Sequence, residues 1–214
     1  MWHDDGELRP EEDQLRRGHR GLARLNPKPM SRASGKVLRS LDGHCRAILA
    51  RATFCIIGTQ GPEGADVSPR GDPAGFVRVL DDRHLLLPDR IGNNRFDCFG
   101  NLFTNPRVGV LFLVPGMAET LRINGMARIT DDAALLLSSE RQGRVPKVGL
   151  LIEVKEAYLH CAKAINRAAL WDPAKHIDRA ELPTYAQMLA DQVQGLSLEE
   201  SERQGEEMAR RGMY

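Results

Sequence analysis

The segment from Asn93 to Val114, NNRFDCFGNLFTNPRVGVLFLV, changes its hydrophobic period halfway along. In its first half, three phenylalanines, together with Leu102, recur at the spacing of one helix face: Phe96, Phe99 and Phe103. This spacing predicts a helix from Asn93 to Thr104 whose aromatic rings lie in the core. Asn105-Pro106 ends the helix, because the residue before a proline disfavours helical backbone. The apolar run Val108–Val114 then predicts a buried strand.

Short β-rich runs separated by turn residues lie on both sides of this segment. Towards the N-terminus they form two predicted hairpins, 53–59 with 65–70 and 76–80 with 84–87. Towards the C-terminus further strands are predicted at 120–130 and 150–160. Strands that follow one another through tight turns pair antiparallel, and no alternating βαβ pattern is present. The predicted fold class is therefore mainly β with peripheral helices, an antiparallel barrel.

The chain divides into three predicted regions. Residues 1–33 form a polar N-terminal arm with the breaker run Asn26-Pro27-Lys28-Pro29. Residues 34–173 form the barrel domain, and residues 174–214 form a helical tail. Helix N-caps are predicted at Asp42, at Asp131 or Asp132, and at Ser197, where Ser197–Glu200 matches a capping box.

Composition excludes several classes of protein. Thirty Lys and Arg against 29 Asp and Glu leave a net charge of +1, which disfavours a nucleic-acid partner. The acidic start is unlike a signal peptide, and no apolar run approaches the ~20 residues needed to span a bilayer. Four cysteines lie far apart and six histidines show no metal-ligand spacing. We therefore expect a cytoplasmic protein without a metal site or a membrane partner.

The loop from Pro88 to Arg95 is the strongest candidate for an anion site. It follows an apolar strand and leads into the predicted helix, and helix N-termini suit phosphate groups. Gly92 permits close approach, while Asn93, Asn94 and Arg95 add donors. Ser68 and Arg70, two residues apart on a strand, present a hydroxyl and a guanidinium on one face. The alternative interpretation is an ordinary strand-to-helix turn beside a solvated arginine.

The run from Ser68 to Val114 resembles the pyridoxamine 5′-phosphate oxidase-like, FMN-binding split-barrel superfamily. The resemblance rests on three stretches: VSPRGDP from Val67, LLLPDRIGNNR from Leu85 and NLFTNPRVGVLF from Asn101. It extends through Glu119–Gly125 and covers roughly 42–173. The His160–Lys163 and Leu170–Pro173 elements resemble a subgroup of uncharacterised members.

The resemblance implies a flavin site. It assigns the FMN phosphate to Asn93, Asn94 and Arg95, together with Ser68 and Arg70. It lays the isoalloxazine ring along Pro88, Asp89 and Arg90. It draws polar contacts from the second subunit of a homodimer, through Thr120 and Arg122. It also suggests three further residues near the ring, for which the alternative is a helix surface: Lys163, Arg167 and Trp171.

Two departures from the family pattern bear on the activity. The usual Ser-Arg-Lys of the phosphate loop is replaced by Asn93-Asn94-Arg95, and the Arg-Leu-x-Asp-Arg substrate motif is absent. We therefore expect FMN binding without oxidation of pyridoxine phosphate. The leading interpretation is an FMN-dependent oxidoreductase for a small substrate, with no assigned general acid or base. The alternatives are a non-catalytic flavin-binding, storage or sensor protein, and a split barrel that binds haem or a deazaflavin.

Overall fold

The computed structural model describes residues 35–92, 95–212 and 214. The predicted arm, 1–33, and the two asparagines Asn93 and Asn94 lie outside the described residues. Residues 38–214 group into one compact unit, called the second unit because it follows the N-terminal region, and it contains the sheet and the helices discussed below.

The sheet of this unit has seven strands: β1 (Phe54–Gly61), β2 (Gly64–Gly71), β3 (Arg78–Val79), β4 (His84–Pro88), β5 (Arg107–Leu113), β6 (Thr120–Thr130) and β7 (Gly149–His160). Their order is β2-β1-β5-β6-β7-β4-β3, and every neighbouring pair is antiparallel. The two edges are β2 and β3. The predicted antiparallel split barrel with peripheral helices is confirmed.

The helices of the second unit are α1 (Gly43–Leu49), α2 (Asp97–Thr104), α3 (Ala133–Leu137), α4 (Lys163–Ala168), α5 (Tyr185–Gln192) and α6 (Leu198–Arg211), with two 3₁₀ turns at Pro173–Lys175 and Arg179–Glu181. Side-chain caps begin α1, α3 and α6: Asp42 accepts from the Cys45 amide, Asp132 from those of Ala134 and Leu135, and Ser197 from that of Glu200. These three predicted caps are confirmed. Among the described residues, no helix is long and apolar enough to cross a membrane.

The prediction for the helix after β4 is wrong in two respects. Helix α2 begins at Asp97, with Phe96 as its N-cap residue, and not at Asn93. Its buried face consists of Cys98, Phe99 and Leu102. Phe103 follows Leu102 by one residue, which turns it about 100° away from that face, and its side chain is 82% exposed. Phe96 precedes the helix, so helical spacing does not apply to it, and it is 52% exposed.

The strands β6 and β7 form the longest pair in the sheet. The predicted strand Thr120–Thr130 is confirmed at both ends. Its register against β7 shifts between Asn124 and Gly125, which marks a bulge. A Cβ atom on Gly125 would lie 2.3 Å from the Glu153 carbonyl oxygen, so the close approach of the two backbones requires glycine.

The core lies on the inner face of the sheet and is closed by α1 and α2. Alternate residues of the strands point into it, with Ile57, Phe112 and Ile123 at 1% exposure or less. Three of the four cysteines, Cys45, Cys55 and Cys98, belong to this core. The inward side chains hold the sheet in its curved shape, which brings the ends of β2 and β4 close together.

Candidate functional site

A groove of about 840 Å³ lies where the ends of β2 and β4 meet; we call it groove A. These two strands are not neighbours in the sheet, so groove A is lined by residues from separate parts of it. Buried Phe76 and Pro88 give it an apolar floor. The loop 144–148 and Tyr214 complete its walls.

Five of the residues expected to bind the cofactor line groove A: Arg70, Pro88, Asp89, Arg90 and Arg95. The structure thus brings together side chains from the end of β2 and from the loop after β4. Ser68 lies on the same face of β2 as Arg70, and both are half-buried. Asn93 and Asn94 are outside the described residues.

An ion pair between Asp72 and Arg90 ties the ends of β2 and β4 together. Arg90 donates through Nε to Asp72 Oδ2 at 2.7 Å, and its Nη2 lies 2.7 Å from the same oxygen. The side chain of Asp72 is 1% exposed and that of Arg90 is 16% exposed. A buried carboxylate is tolerated only when it is paired and hydrogen-bonded, so this contact holds the guanidinium in one position.

Tyr214 completes this arrangement. Its phenol donates a hydrogen bond to Asp72 Oδ1, and the Arg90 Cζ lies 5.3 Å from the centre of its ring. The hydrogen bond to Asp72 raises the pKa of Tyr214, because the carboxylate stabilises the protonated phenol. Sequence reasoning missed Asp72 and Tyr214 as site residues. They are separated by 142 positions, and no local pattern connects them.

Asp89 is the carboxyl group beside the expected position of the flavin ring. Burial raises its pKa, while the nearby Arg70 and Arg90 partly oppose that effect. Its backbone amide donates to the Val148 carbonyl at 3.0 Å, which fixes the strand end against the loop 144–148. Asp89 is thus a carboxyl group whose charge state is sensitive to anything that enters groove A.

Two core cysteines lie within electrostatic reach of Arg70. Burial raises the pKa of Cys55 to about 12 and also raises that of Cys98. Both thiols therefore stay protonated at neutral pH, and neither serves as a nucleophile.

The hydrogen bonding of the Ser68 hydroxyl bears on whether a phosphate fits this region. Its Oγ is buried and has no hydrogen-bond partner within the described part of the chain. Among the described residues, the Arg70 guanidinium on the same strand donates only to the neighbouring Pro69 carbonyl, at 3.0 Å. An unpaired buried hydroxyl is costly, and a bound acceptor would satisfy it. The donors at the end of β2 therefore fit an anionic group.

Arg95 lies two residues before α2, in non-helical backbone. Its Nε and Nη2 contact Asp97 Oδ2 at 2.9 and 2.8 Å, and its side chain is 75% exposed. The expectation that Asn93, Asn94 and Arg95 open the helix is wrong, because the first helical turn begins at Asp97. Arg95 still lines groove A, as an exposed cation paired with Asp97.

A second groove of about 540 Å³, groove B, lies at the ends of β6 and β7 and against α4. It contains four further expected residues: Thr120, Arg122, Lys163 and Arg167. Arg122 donates to Asn124 Oδ1 at 3.0 Å and stacks 5.6 Å from the Tyr158 ring centre. Among its described lining residues groove B has three cations and no carboxylate, so it also suits an anionic or electron-rich ligand.

The two grooves are separate on one chain, since none of the described residues lines both. Trp171 lines neither of them. Its indole Nε1 donates to the Met117 carbonyl at 2.8 Å, next to the strand end at Thr120. Nine of the expected ligand residues therefore fall into two sets on one chain, five at groove A and four at groove B.

These features coincide with membership of a known family. The chain belongs to the pyridoxamine 5′-phosphate oxidase family, whose family model, PNPOx_N, matches residues 41–161. No curated protein matches the chain.

Three solved structures illustrate the likeness. HupZ from Group A Streptococcus is 15% identical over 56% of this chain and 93% of that chain, with a TM-score of 0.45. General Stress Protein 26 from Bacillus anthracis is 15% identical over 53% and 88%, with a TM-score of 0.41. A protein related to general stress protein 26 from Clostridium acetobutylicum is 13% identical over 55% and 85%, with a TM-score of 0.40.

Proposed function

We propose that this protein binds FMN in groove A and uses it in the oxidation or reduction of a small substrate. The observation that carries the proposal is groove A itself, in a chain that belongs to the pyridoxamine 5′-phosphate oxidase family. It combines an apolar floor with arginine side chains. The unpaired buried hydroxyl of Ser68 lies on the same face of β2 as Arg70, one of the arginines that line the groove. That combination matches a ligand with a flat ring system and a terminal phosphate.

The residues at the end of β2 take the phosphate in this proposal. Arg70 and Arg95 supply the positive charge, and Ser68 supplies the hydroxyl donor, with Asn93 and Asn94 as neighbouring amides. Charge-assisted hydrogen bonds are among the strongest polar contacts, so these side chains would dominate the affinity. Arg95 lies in non-helical backbone and lines groove A, which puts its positive charge beside the proposed phosphate position.

The ring would lie along Pro88, Asp89 and Arg90. The flavin supplies the transfer of electrons, and the protein supplies orientation and electrostatics. Arg90, held by Asp72, presents a fixed positive charge at the ring, which favours any negative charge that develops there. Asp89 presents a carboxyl group beside the ring, and burial raises its pKa, which favours the protonated form.

A homodimer completes the site in this proposal. Thr120, Arg122, Lys163 and Arg167 of groove B are separate from groove A on the same chain. Both sets contact one ligand if groove B of one subunit faces groove A of its partner. Two-fold symmetry then gives two equivalent sites per dimer. Trp171 supports the strand end at Thr120 through Met117.

We also place the protein in the cytoplasm and expect no oxidation of pyridoxine phosphate. Cys45, Cys55 and Cys98 are buried thiols that form no disulfide among the described residues, which favours a reducing compartment. The two departures from the family's phosphate-loop and substrate motifs argue against that particular substrate.

The test is a comparison of FMN with riboflavin on the purified protein, by quenching of flavin fluorescence. FMN is expected to bind more tightly, because only FMN has the phosphate. Arg70→Ala is expected to weaken FMN binding about ten- to a hundredfold and to leave riboflavin unaffected. Arg128→Ala is the matched control, since Arg128 is exposed on β6 and lines neither groove.

Equal affinity for riboflavin and FMN would show that the phosphate site is wrong. An absorption spectrum of the protein as purified separates flavin from haem or a deazaflavin. Anaerobic addition of NADH or NADPH then separates an enzyme, whose flavin is reduced, from a flavin-storing protein.

A further inference from the structure

Tyr214 forms one wall of groove A, and neither the family pattern nor the sequence pointed to it. The groove volume of about 840 Å³ remains open with the Tyr214 side chain in place. The tyrosine is therefore a wall of the groove and does not fill it. Its half-buried ring faces the same space as Pro88, Asp89 and Arg90.

Asp72 positions the Tyr214 ring directly, through the phenol, and indirectly, through Arg90. One carboxylate oxygen accepts from the phenol of Tyr214, and the other accepts from Arg90. Arg90 in turn lies 5.3 Å from the tyrosine ring centre, so the three side chains form a closed set of contacts. Asp72 is almost wholly buried, and a carboxylate in that position is stable only while its partners stay in place. The contacts thus select one position of the ring.

We propose that Tyr214 covers one face of the bound flavin ring and slows its release, with Asp72 as the residue that positions it. This inference rests on the proposed function. A flat aromatic ligand needs apolar cover on both faces, and a tyrosine ring held at the wall provides it for one. The cover on this side comes from the same chain, whereas the proposed partner subunit supplies groove B on the other side.

The first measurement is the rate of flavin release from the loaded full-length protein, followed by stopped-flow fluorescence. Tyr214→Ala removes the ring and is expected to speed release about tenfold. Tyr214→Phe keeps the ring and removes only the hydrogen bond to Asp72, so it is expected to speed release about threefold. Tyr185→Ala is the matched control, because Tyr185 is 71% exposed on α5 and lines neither groove, and its release rate stays that of the parent.

The second measurement is the fluorescence lifetime of the bound flavin. A phenol in contact with an excited flavin quenches it by reversible electron transfer, whereas a phenyl ring does not. Tyr214→Phe is therefore expected to lengthen the lifetime, and Tyr185→Phe is not. This reports contact directly, and a purely structural role for Tyr214 would not change it.

The role of Asp72 has its own measurement. The chain has three tyrosines, so spectrophotometric titration of the parent against Tyr214→Phe isolates the Tyr214 phenol. Its pKa is expected to lie above that of an ordinary tyrosine in the parent and to fall towards it in Asp72→Asn.

The outcomes separate the inference from the proposed function. If the parent binds no flavin, the proposed function fails and the inference falls with it. If the parent binds flavin, but Tyr214→Ala releases it at the parental rate or Tyr214→Phe leaves the lifetime unchanged, the inference alone is overturned. Tighter binding by Tyr214→Ala also overturns it, because the ring would then compete with the flavin.

Discussion

Asp72 and Asp89 show how two carboxyl groups at the same groove acquire different roles. Asp72 is buried at the end of β2 and is hydrogen-bonded to Arg90 and Tyr214. Asp89 is half-buried and burial raises its pKa, because the nearby Arg70 and Arg90 only partly compensate for the lost water. The first carboxylate organises the site, and the second remains able to change its charge.

Replacing Asp89 with asparagine is expected to stabilise the ligand-free fold at neutral pH. The folded-state pKa of Asp89 is raised, so its ionised form is penalised at pH values above that pKa, and each pKa unit corresponds to about 1.4 kcal/mol. The advantage of Asp89→Asn should shrink as the pH falls through the raised pKa and vanish below the ordinary carboxyl range.

Urea unfolding of both proteins between pH 3 and pH 8 measures this difference. Asp131→Asn is the control, because Asp131 is exposed and lines neither groove. A stability difference that does not change with pH would show that Asp89 is not penalised by burial.

At the scale of elements, the packing at the bulge in β6 restricts which residue can occupy position 125. The register shift at Asn124 and Gly125 lets the strand bend against β7. The bend brings the Gly125 Cα next to the Glu153 carbonyl, where no side chain fits. The strand then continues to Thr130 with its apolar residues still facing the core.

Gly125→Ala is expected to destabilise the protein by about 1–3 kcal/mol, because the new methyl group would meet backbone that cannot move aside. Gly100→Ala is the matched control. It lies in α2 with open space around its Cα, so alanine should be neutral or stabilising by up to about 1 kcal/mol. Denaturant titrations with unchanged m-values measure both effects. Equal stabilities for the two variants would contradict the close approach at the bulge.

At the scale of the whole molecule, one chain leaves apolar side chains exposed around both grooves. Val67 at groove B is 67% exposed, and Ile91 and Phe96 at groove A are 65% and 52% exposed. Exposed apolar groups that cluster around binding grooves are typical of surfaces that another subunit covers. They support the proposed dimer, in which groove B of one subunit faces groove A of the other.

Val67→Asp is expected to weaken dimerisation and flavin binding together, because it places a charge in the proposed interface. Leu137→Asp is the control, since Leu137 is 62% exposed on α3 and lines neither groove. Light scattering over a range of concentrations, with and without FMN, measures the assembly. A monomer that keeps one FMN per chain on dilution would contradict an interface site.

Much of the fold could be predicted because the sequence patterns that indicate its strands, turns and helix caps are local. Alternating strands, tight turns and three helix caps at Asp42, Asp132 and Ser197 depend on neighbouring residues. The error at α2 arose where two patterns overlapped. Three phenylalanines matched a helical period, but the helix starts later, and Cys98, Phe99 and Leu102 form its buried face. Spacing alone does not tell which of several apolar residues an element buries.

The sequence by itself determined the antiparallel barrel, the order of its strands along the chain and the polar residues around β2 and β4. The tertiary structure was needed to show that expected residues at the ends of β2 and β4 line groove A, whereas those of β6 and α4 line groove B. It also decided that Asp72, Arg90 and Tyr214 meet at one of them. The physical reason is distance along the chain. Hydrophobic periodicity and turn preferences depend on residues a few positions apart. The hydrogen-bond partners of a buried carboxylate are the groups that lie within about 3 Å of it in the folded chain, however far apart they are in sequence.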